Sequence, residues 1–363
     1  MSRRGWVLFA IMCVVWGIPY LLIKVAVGGV SVPMVVFSRT ALGALILLPL
    51  ALRSGQFGAL RPVWRWVVAF AALEMIVPWG LLSNAEQHLP SSLAGLLIAA
   101  VPIIGVVIAR LTGGTVSANT VSANTVSANT VSASTERLSP RRWAGLLVGL
   151  AGVAVLAAPH LAGGHAWPIA EVLLVAVGYA TAPLIAARKL ADVPALPMTT
   201  VCLILAALIY TPAAAATWPR HLPSGQVLAS LAALGVICTA AAFLVFLRLI
   251  REVGPTRAMV FTYVNPAVAV AGGVLVLGEP FTATIAAAFV LILAGCVLAT
   301  ASRRGQPDHP EPHQPGSPDV EPPAHPDQDQ ADQGVPDQSA QRQSRAAPRV
   351  ASADPDQAAA GQS

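Results

Sequence analysis

The sequence predicts an all-α integral membrane protein with ten transmembrane helices, arranged as two inverted five-helix repeats and followed by a disordered C-terminal tail. Three observations lead to this fold class. Hydrophobic residues make up 55% of the 363 positions and charged residues only 11%, and the mean hydropathy is +0.68. Soluble chains contain about 25% charged residues. Long apolar segments recur along the chain, and the second half repeats spacings found in the first.

Ten segments are long and apolar enough to be transmembrane helices. A helix that crosses the membrane needs about 20 mostly apolar residues. The first segment follows Arg3 and Arg4, as the core of a signal peptide would, but its apolar run is too long for one, so we expect a retained helix. In chain order the segments are 6–27, 33–52, 64–83, 91–111, 142–159, 166–187, 197–217, 226–247, 257–277 and 281–302.

Positive charges in the short loops predict the orientation of these helices. Loops that remain in the cytoplasm carry an excess of Lys and Arg. With the N-terminus placed inside, sixteen Lys and Arg residues fall on the inner side and Arg220 alone falls on the outer side. The sequence therefore predicts a multi-pass protein with both termini in the cytoplasm.

The net charge of +5 divides unevenly along the chain. Residues 1–304 carry a net charge of +12, and residues 305–363 carry −7. Because the basic part is the membrane part, we expect its charge to face anionic lipid headgroups rather than nucleic acid. The four cysteines lie in apolar runs without a Cys-x-x-Cys pattern, which indicates neither a metal site nor a redox site.

Two polar segments lie outside the predicted helices. Residues 115–134 are four tandem pentamers, TVSAN three times and TVSAS once, and predict a flexible cytoplasmic loop. Residues 305–363 are rich in Pro, Asp, Gln and Ala and contain no aromatic residue. Such a segment cannot bury enough apolar surface to offset its ordering entropy, so we expect a disordered, acidic cytoplasmic tail.

The two halves of the chain share a pattern of spacings. When Ala94 is aligned with Ala258, Pro102 falls on Pro266. Downstream, each half has a glutamate that is followed 16 residues later by the glycine of an Ala-Gly pair. The residue-by-residue match is weak, but the spacing holds once the pentamer insert is removed.

Two units of five helices follow from this repeat. We divide the chain into a first unit, 1–159, which contains the insert, a second unit, 160–304, and the tail, 305–363. Because five is odd, the second unit enters the membrane upside down. Inverted five-helix repeats are typical of secondary transporters, whose binding site lies near the membrane midplane between the repeats.

Several short motifs occur in a specific order and spacing. They are Trp16-Gly17, Lys24, Arg39, the run from Ala94 to Pro102, Glu136 to Ser139, the run from Gly235 through Thr239 to Ala258, Pro266, and Gly278-Glu279-Pro280. In these motifs the chain resembles bacterial EamA-like transporters of the drug/metabolite transporter superfamily. The resemblance covers about residues 6–302, and the pentamer insert and the acidic tail depart from the family pattern.

The resemblance implies a function as well as a fold. It implies ten helices around a central cavity in the bacterial cytoplasmic membrane, and secondary transport, often export, of small metabolites, amino acids or drugs. The implied partners are a small-molecule substrate and the lipid bilayer, with no cofactor and no use of ATP. The sequence has no GxxxxGK[ST] nucleotide-binding loop. A proton is the hypothetical coupling ion, and a homodimer stays open as an alternative to a monomer.

Three ionisable residues in the predicted helices are candidates for the substrate or proton pathway. An ionisable group inside a membrane is costly and needs a partner or a watery cavity. Glu74, in the middle of its segment, is the candidate proton carrier. Arg39 has a planar fork that suits a substrate carboxylate or Glu74. Lys24, near the outer end of the first segment, binds substrate or extends to the lipid headgroups.

Uncharged side chains near helix middles are further candidates, because they line a cavity or form contacts between helices. These are Trp16, Tyr20, Trp79, Tyr179, Thr262, Tyr263 and Asn265. Prolines in the middle of the segments are predicted to break helices and free backbone carbonyls. They are Pro19, Pro78, Pro102, Pro183 and Pro266. Glu136 and Glu279 are instead expected to stabilise helix N-termini, where negative charge is favourable.

Two other functions remain as alternatives. An uptake permease would have the same fold, because gradients decide the direction in which a reversible carrier works. A membrane-embedded lipid-processing enzyme would need Asp, Glu or His residues clustered at one depth. The ionisable residues of the predicted helices are instead few, scattered and of mixed sign, which favours a transporter.

Overall fold

The computed structural model describes residues 2–111, 140–254 and 258–300. All the regular structure in these ranges is helical. The pentamer insert, Glu136 and the tail from 305 onward lie outside the described residues, so the predictions of a flexible loop and a disordered tail remain predictions.

Fourteen α-helices are present in the described ranges. They are α1 Arg3–Val15, α2 Pro19–Val27, α3 Val32–Ser54, α4 Trp64–Ala71, α5 Val77–His88, α6 Ser91–Ile98, α7 Val101–Leu111, α8 Pro140–Ala162, α9 Ala166–Lys189, α10 Ala195–Ala216, α11 Gly225–Ala232, α12 Ala242–Val253, α13 Asn265–Leu277 and α14 Ala283–Thr300. Two 3₁₀-helices, Gln56–Val63 and Met259–Tyr263, and two π-helices, Ala72–Ile76 and Ala233–Ala241, connect or interrupt them.

Seven helical stretches in the described ranges are long and apolar enough to cross a membrane. Three shorter apolar stretches, Ser91–Gly105, Asn265–Leu277 and Ala283–Leu298, fall within the fourth, ninth and tenth predicted segments. The prediction of an all-helical membrane protein is therefore confirmed. The count of ten spans and the inversion of the second half remain predictions.

Proline residues coincide with breaks in three of the helical stretches. Pro19 begins α2 directly after a break from α1, Pro102 is the second residue of α7, and Pro266 is the second residue of α13. Proline lacks the N–H of a helix interior and clashes with the preceding turn, but it is well tolerated in a first turn. Pro183 differs from the expectation, because α9 continues past it without interruption.

The two π-helices interrupt the stretches Gln56–His88 and Gly225–Val253. A π-helical turn displaces the normal hydrogen-bond ladder and frequently occurs at functional sites. Pro78 follows the first π-helix at the start of α5. The first π-helix and the three proline breaks lie around the same interior space, described below.

Close helix contacts hold the bundle together. Helix α3 packs on α10, α6 on α13, and α8 on α14. A Cβ atom added to Gly295 would lie 2.5 Å from the Cα of Gly149, so the backbones of α8 and α14 meet where neither residue has a side chain. The central cavity lies beside these contacts.

Candidate functional site

An interior cavity of about 150 Å³ lies where the helices are interrupted. This volume accommodates several water molecules or a small organic solute. Pro19, Pro102 and Pro266 contribute to its wall. Nine of the ten candidate residues named from the sequence also line it: Trp16, Tyr20, Arg39, Glu74, Trp79, Tyr179, Thr262, Tyr263 and Asn265. The structure thus brings these residues together, while their part in transport stays a prediction.

Arg39 is the buried cation of this cavity. It projects from α3 with 7% of its surface exposed, and its guanidinium carbon lies 3.6 Å from the centre of the Trp79 ring. Its Nε donates a 3.0 Å hydrogen bond to the hydroxyl of Thr239, which in turn donates to the carbonyl of Leu234 at 2.8 Å. The terminal amino groups of Arg39 make no hydrogen bond to any described residue. The outer edge of the guanidinium fork is therefore available to a ligand.

Glu74 is the buried carboxyl of the cavity. It lies in the π-helix Ala72–Ile76, is 2% exposed, and its Oε2 has no hydrogen-bond partner among the described residues. The sequence analysis allows two partners for Arg39, a substrate carboxylate or Glu74. The described residues show no ion pair or hydrogen bond between them, because Trp79 and Thr239 hold the guanidinium instead. Neither Arg39 nor Glu74 therefore has an ionic partner in the part of the chain that the structure describes.

Trp16 links the first break in the chain to the second π-helix. Its Nε1 donates a 3.2 Å hydrogen bond to the carbonyl of Cys238, which lies in the π-helix. Its ring centroid is 5.0 to 5.8 Å from those of Phe243, Phe246 and Phe261. The residue therefore packs in an aromatic cluster as well as lining the cavity.

The break before α13 is stabilised by a side-chain amide. With its nitrogen oriented toward the two carbonyls it faces, Asn265 donates to the backbone oxygens of Phe261 and Cys13, each at 3.2 Å. The second of these bonds satisfies a carbonyl near the C-terminal end of α1, where the interrupted helix leaves its last carbonyls open. Asn265 therefore has a structural role beside its place in the wall.

Lys24 is the one charged candidate outside the cavity wall. Its ammonium donates to the backbone carbonyls of Glu86, at 2.6 Å, and Leu89, at 2.9 Å. These carbonyls lie at the C-terminal end of α5, where the macrodipole favours a cation. Neither substrate binding nor extension to lipid headgroups is needed to explain the position of Lys24.

Sequence reasoning missed several residues that support the site. Thr239 belongs to one of the motifs given above but is not among the predicted site residues. The signal that could have identified it is a polar hydroxyl within an otherwise apolar helical segment. Tyr210 donates from its hydroxyl to the carbonyl of Ile76 at 2.8 Å, beside the first π-helix, and no sequence signal indicated that role. Glu86 lies beyond the predicted segment 64–83, but α5 continues to His88, and the Glu86 side chain is completely buried.

Glu279 stabilises a different helix from the one expected. The sequence predicted a favourable charge at the start of its own helix, α14. There the hydroxyl of Thr282 accepts a hydrogen bond from the amide of Ile285 instead. The Glu279 carboxylate caps α6, where it accepts hydrogen bonds from the amides of Ser91 and Ser92. In the described ranges, His, Cys, Asp and Glu form no group of three or more that could hold a metal ion.

Comparison with known families identifies the fold and the broad function. The model of the EamA-like transporter family matches residues 3–128 and 166–301, which together are more than half of the chain. The chain belongs to the EamA-like transporter family. Membership of this family, within the drug/metabolite transporter superfamily, indicates a membrane transporter rather than an enzyme.

Individual EamA relatives extend over most of the chain. The uncharacterized inner membrane transporter YedA of Escherichia coli is 27% identical over 299 residues, covering 82% of this chain and 90% of that protein. The uncharacterized transporter YvbV of Bacillus subtilis is 22% identical over 313 residues, covering 84% and 94%. A probable terminal-alkyne amino-acid exporter of Streptantibioticus cattleyicolor is 27% identical over 174 residues, covering 46% and 48%.

A solved structure has the same fold. One crystal structure aligns with a TM-score of 0.53 and 20% identity, and covers 82% of this chain and 98% of its own. At this identity the likeness concerns the fold alone.

Proposed function

We propose that this protein is a secondary transporter that carries a small anionic or zwitterionic solute through the cavity around Arg39 and Glu74. The observation that carries the proposal is a buried guanidinium that faces the cavity without a carboxylate partner. A buried charge without a counter-ion is costly. A solute that supplies the negative group removes that cost.

The geometry at Arg39 favours a carboxylate or phosphate on the solute. Trp79 fixes the plane of the guanidinium, and Thr239 engages its Nε. A planar fork held in this way binds two oxygens of one anionic group with good geometry. The aromatic side chains in the wall then contact the apolar body of the solute.

Glu74 is the proposed site of the coupling proton. Its carboxyl lies in the same cavity, and its Oε2 has no partner among the described residues. A carboxyl that gains and loses a proton during the cycle, or that binds the ammonium of a zwitterion, has a reason to occupy this costly position. Proton exchange at Glu74 would drive the solute against its gradient.

An inverted repeat of units 1–159 and 160–304 is the proposed framework for alternating access. The two π-helices support it, since a shift of 164 positions, which aligns Ala94 with Ala258, places 72–76 within 233–241. Three pairs of prolines are separated by the same 164 positions: Pro19 and Pro183, Pro33 and Pro197, Pro102 and Pro266. The contacts of α3 with α10 and of α8 with α14 pair corresponding helices, and α6 contacts α13, the counterpart of α7 in the corresponding predicted segment. Helices that lie next to a two-fold axis pair in this way.

We further propose ten membrane spans, both termini in the cytoplasm of a bacterium, and export as the direction. The loop charges support this orientation. The relative named as a probable amino-acid exporter supports export and a solute with a carboxylate. An uptake permease is the alternative within the same fold, and a homodimer is compatible with either direction.

Transport in proteoliposomes tests the proposal. Vesicles loaded with a pH-sensitive dye are exposed to a panel of amino acids, other carboxylates, organic phosphates and cationic drugs. We expect a carboxylate-bearing solute to move protons in the wild type and not in Glu74→Gln, while Glu252→Gln, an exposed carboxyl, behaves as the wild type. Movement restricted to cationic drugs would contradict the role of Arg39. Proton movement that persists in Glu74→Gln would contradict the role of Glu74.

A further inference from the structure

A second group of polar residues lies at the end of the bundle opposite to the start of α5. Glu279 binds the first turn of α6 there: its Oε1 accepts from the amide and hydroxyl of Ser91, at 2.6 and 2.9 Å, and its Oε2 accepts from the amide of Ser92 at 3.0 Å. Both oxygens of this carboxyl group therefore have hydrogen-bond partners at the N-terminal end of α6.

Lys24 is also engaged in this group, but by backbone atoms. Its ammonium donates to the carbonyl oxygens of Glu86 and Leu89. It makes no hydrogen bond to the side-chain carboxyl of Glu86, although that carboxyl belongs to the same residue whose carbonyl it binds.

Glu86 is the residue that these contacts leave unexplained. Its side chain is fully buried, and neither carboxyl oxygen has a hydrogen-bond partner among the described residues. The titratable and charged groups that face it are Lys24 and Tyr20 from α2, Arg39 from α3, and Glu279 from the turn before α14. The Lys24 ammonium is already bound to backbone carbonyls, and the described contacts of Arg39 are with Trp79 and Thr239. The carboxylate of Glu279 repels a negative charge on Glu86.

An ionised Glu86 would be costly in this position. A buried carboxylate with no hydrogen bonds loses its hydration without compensation. Glu86 also lies in the last turn of α5, where the partial negative charge of the helix end disfavours an anion. A neutral carboxyl avoids both costs.

We propose that Glu86 is a proton-binding site, separate from Glu74 and formed when Lys24, Ser91 and Glu279 make the contacts seen here. One proton from the adjoining solution adds to the Glu86 carboxylate as it becomes buried, and returns to solution when the contacts open. The site takes a proton alone, since the neutral carboxyl needs no further counter-ion. In the proposed orientation this end of the bundle faces the outside.

Infrared difference spectroscopy of the purified full-length chain in lipid vesicles, without any transported solute, tests the site. At neutral pH we expect Glu86→Gln to lose the C=O band of one neutral carboxyl per chain, and the control Glu252→Gln, which changes an exposed residue, to keep that band. In D₂O buffer the Glu86 band shifts, because its proton exchanges with solution. Loss of a carboxylate band in Glu86→Gln would overturn the proposal, and so would a neutral band that does not exchange in the folded protein.

A second variant covers the case in which Glu86→Gln does not fold. Glu86→Asp retains the acid with a shorter side chain, and we expect it to move the neutral carboxyl band rather than remove it. A band that is unchanged in Glu86→Asp would overturn the assignment. Because no solute is present, the result is independent of whether the transport experiment succeeds or fails.

Discussion

The guanidinium of Arg39 stacks on the indole of Trp79 at 3.6 Å while its Nε binds the hydroxyl of Thr239, 200 residues further along the chain. One cation is thus positioned by an aromatic ring from the first half and a hydroxyl from the second half. This arrangement orients the fork in the cavity before any solute arrives. The contact with Trp79 and the hydrogen bond to Thr239 can be removed by separate substitutions.

Trp79→Leu should weaken solute binding. It removes a cation–π contact worth about 0.5 to 2 kcal/mol, so we expect KM for the transported solute to rise by roughly 2- to 30-fold. Initial rates of transport in proteoliposomes measure this. Trp64→Leu is the control, because Trp64 is 58% exposed and lies outside the cavity wall. Equal effects of the two substitutions would contradict a positioning role for Trp79.

Thr239→Val should have a similar but smaller effect. It preserves the shape of the side chain and removes a hydrogen bond worth about 1 kcal/mol, so KM is expected to rise roughly fivefold. Thr239→Ser retains the hydroxyl and should restore most of the affinity. Thr211→Val is the matched control, since its hydroxyl bonds only to the carbonyl of Ala207 in its own helix. If serine does not rescue, the hydrogen bond is not the cause.

Gly295→Ala should destabilise the helix bundle. The added methyl group would lie against the backbone of Gly149, which cannot move as a flexible side chain can. Overpacking of this kind costs about 1 to 3 kcal/mol, and it should lower the thermal unfolding temperature in detergent. Gly225→Ala is the control, because no atom lies within 4 Å of a Cβ added there. An unchanged unfolding temperature in Gly295→Ala would show that the two helices separate easily.

Cysteine labelling should establish the orientation. The four native cysteines of the chain are buried and free, so they give little background. We expect an impermeant maleimide to label Arg220→Cys in intact cells, and Arg53→Cys only after the membrane is permeabilised, because both positions are exposed and the proposed orientation puts them on opposite sides. The reverse pattern would place the termini outside.

The sequence predicted the composition of the cavity better than its contacts. Glu74 and Arg39 could be found because an ionisable residue within an apolar segment is costly and rare. The prolines at 19, 102 and 266 marked the breaks, because proline acts on its own helix. Ionisable residues and prolines act within their own helix, so both can be interpreted from the sequence of one segment.

Contacts between distant segments could not be read in this way. The partners of Lys24 are backbone carbonyls. Because every residue has a backbone carbonyl, the sequence cannot indicate which ones bind Lys24. The continuity of α9 past Pro183 depends on its packing with neighbours, which overrides the local preference. Glu86 falls outside the predicted segment 64–83 because the apolar run ends before α5 does.

The bond between Arg39 and Thr239 has a consequence for biogenesis. Arg39 enters the membrane with the second apolar segment, and Trp79 follows with the third, but Thr239 is synthesised 200 residues later. During that interval the guanidinium lacks its hydroxyl partner, and a charge held in the bilayer costs a few kcal/mol. We therefore expect the inserted first half to be less stable until the eighth segment has been synthesised. A truncated chain that ends before Thr239 should then be degraded by membrane quality control.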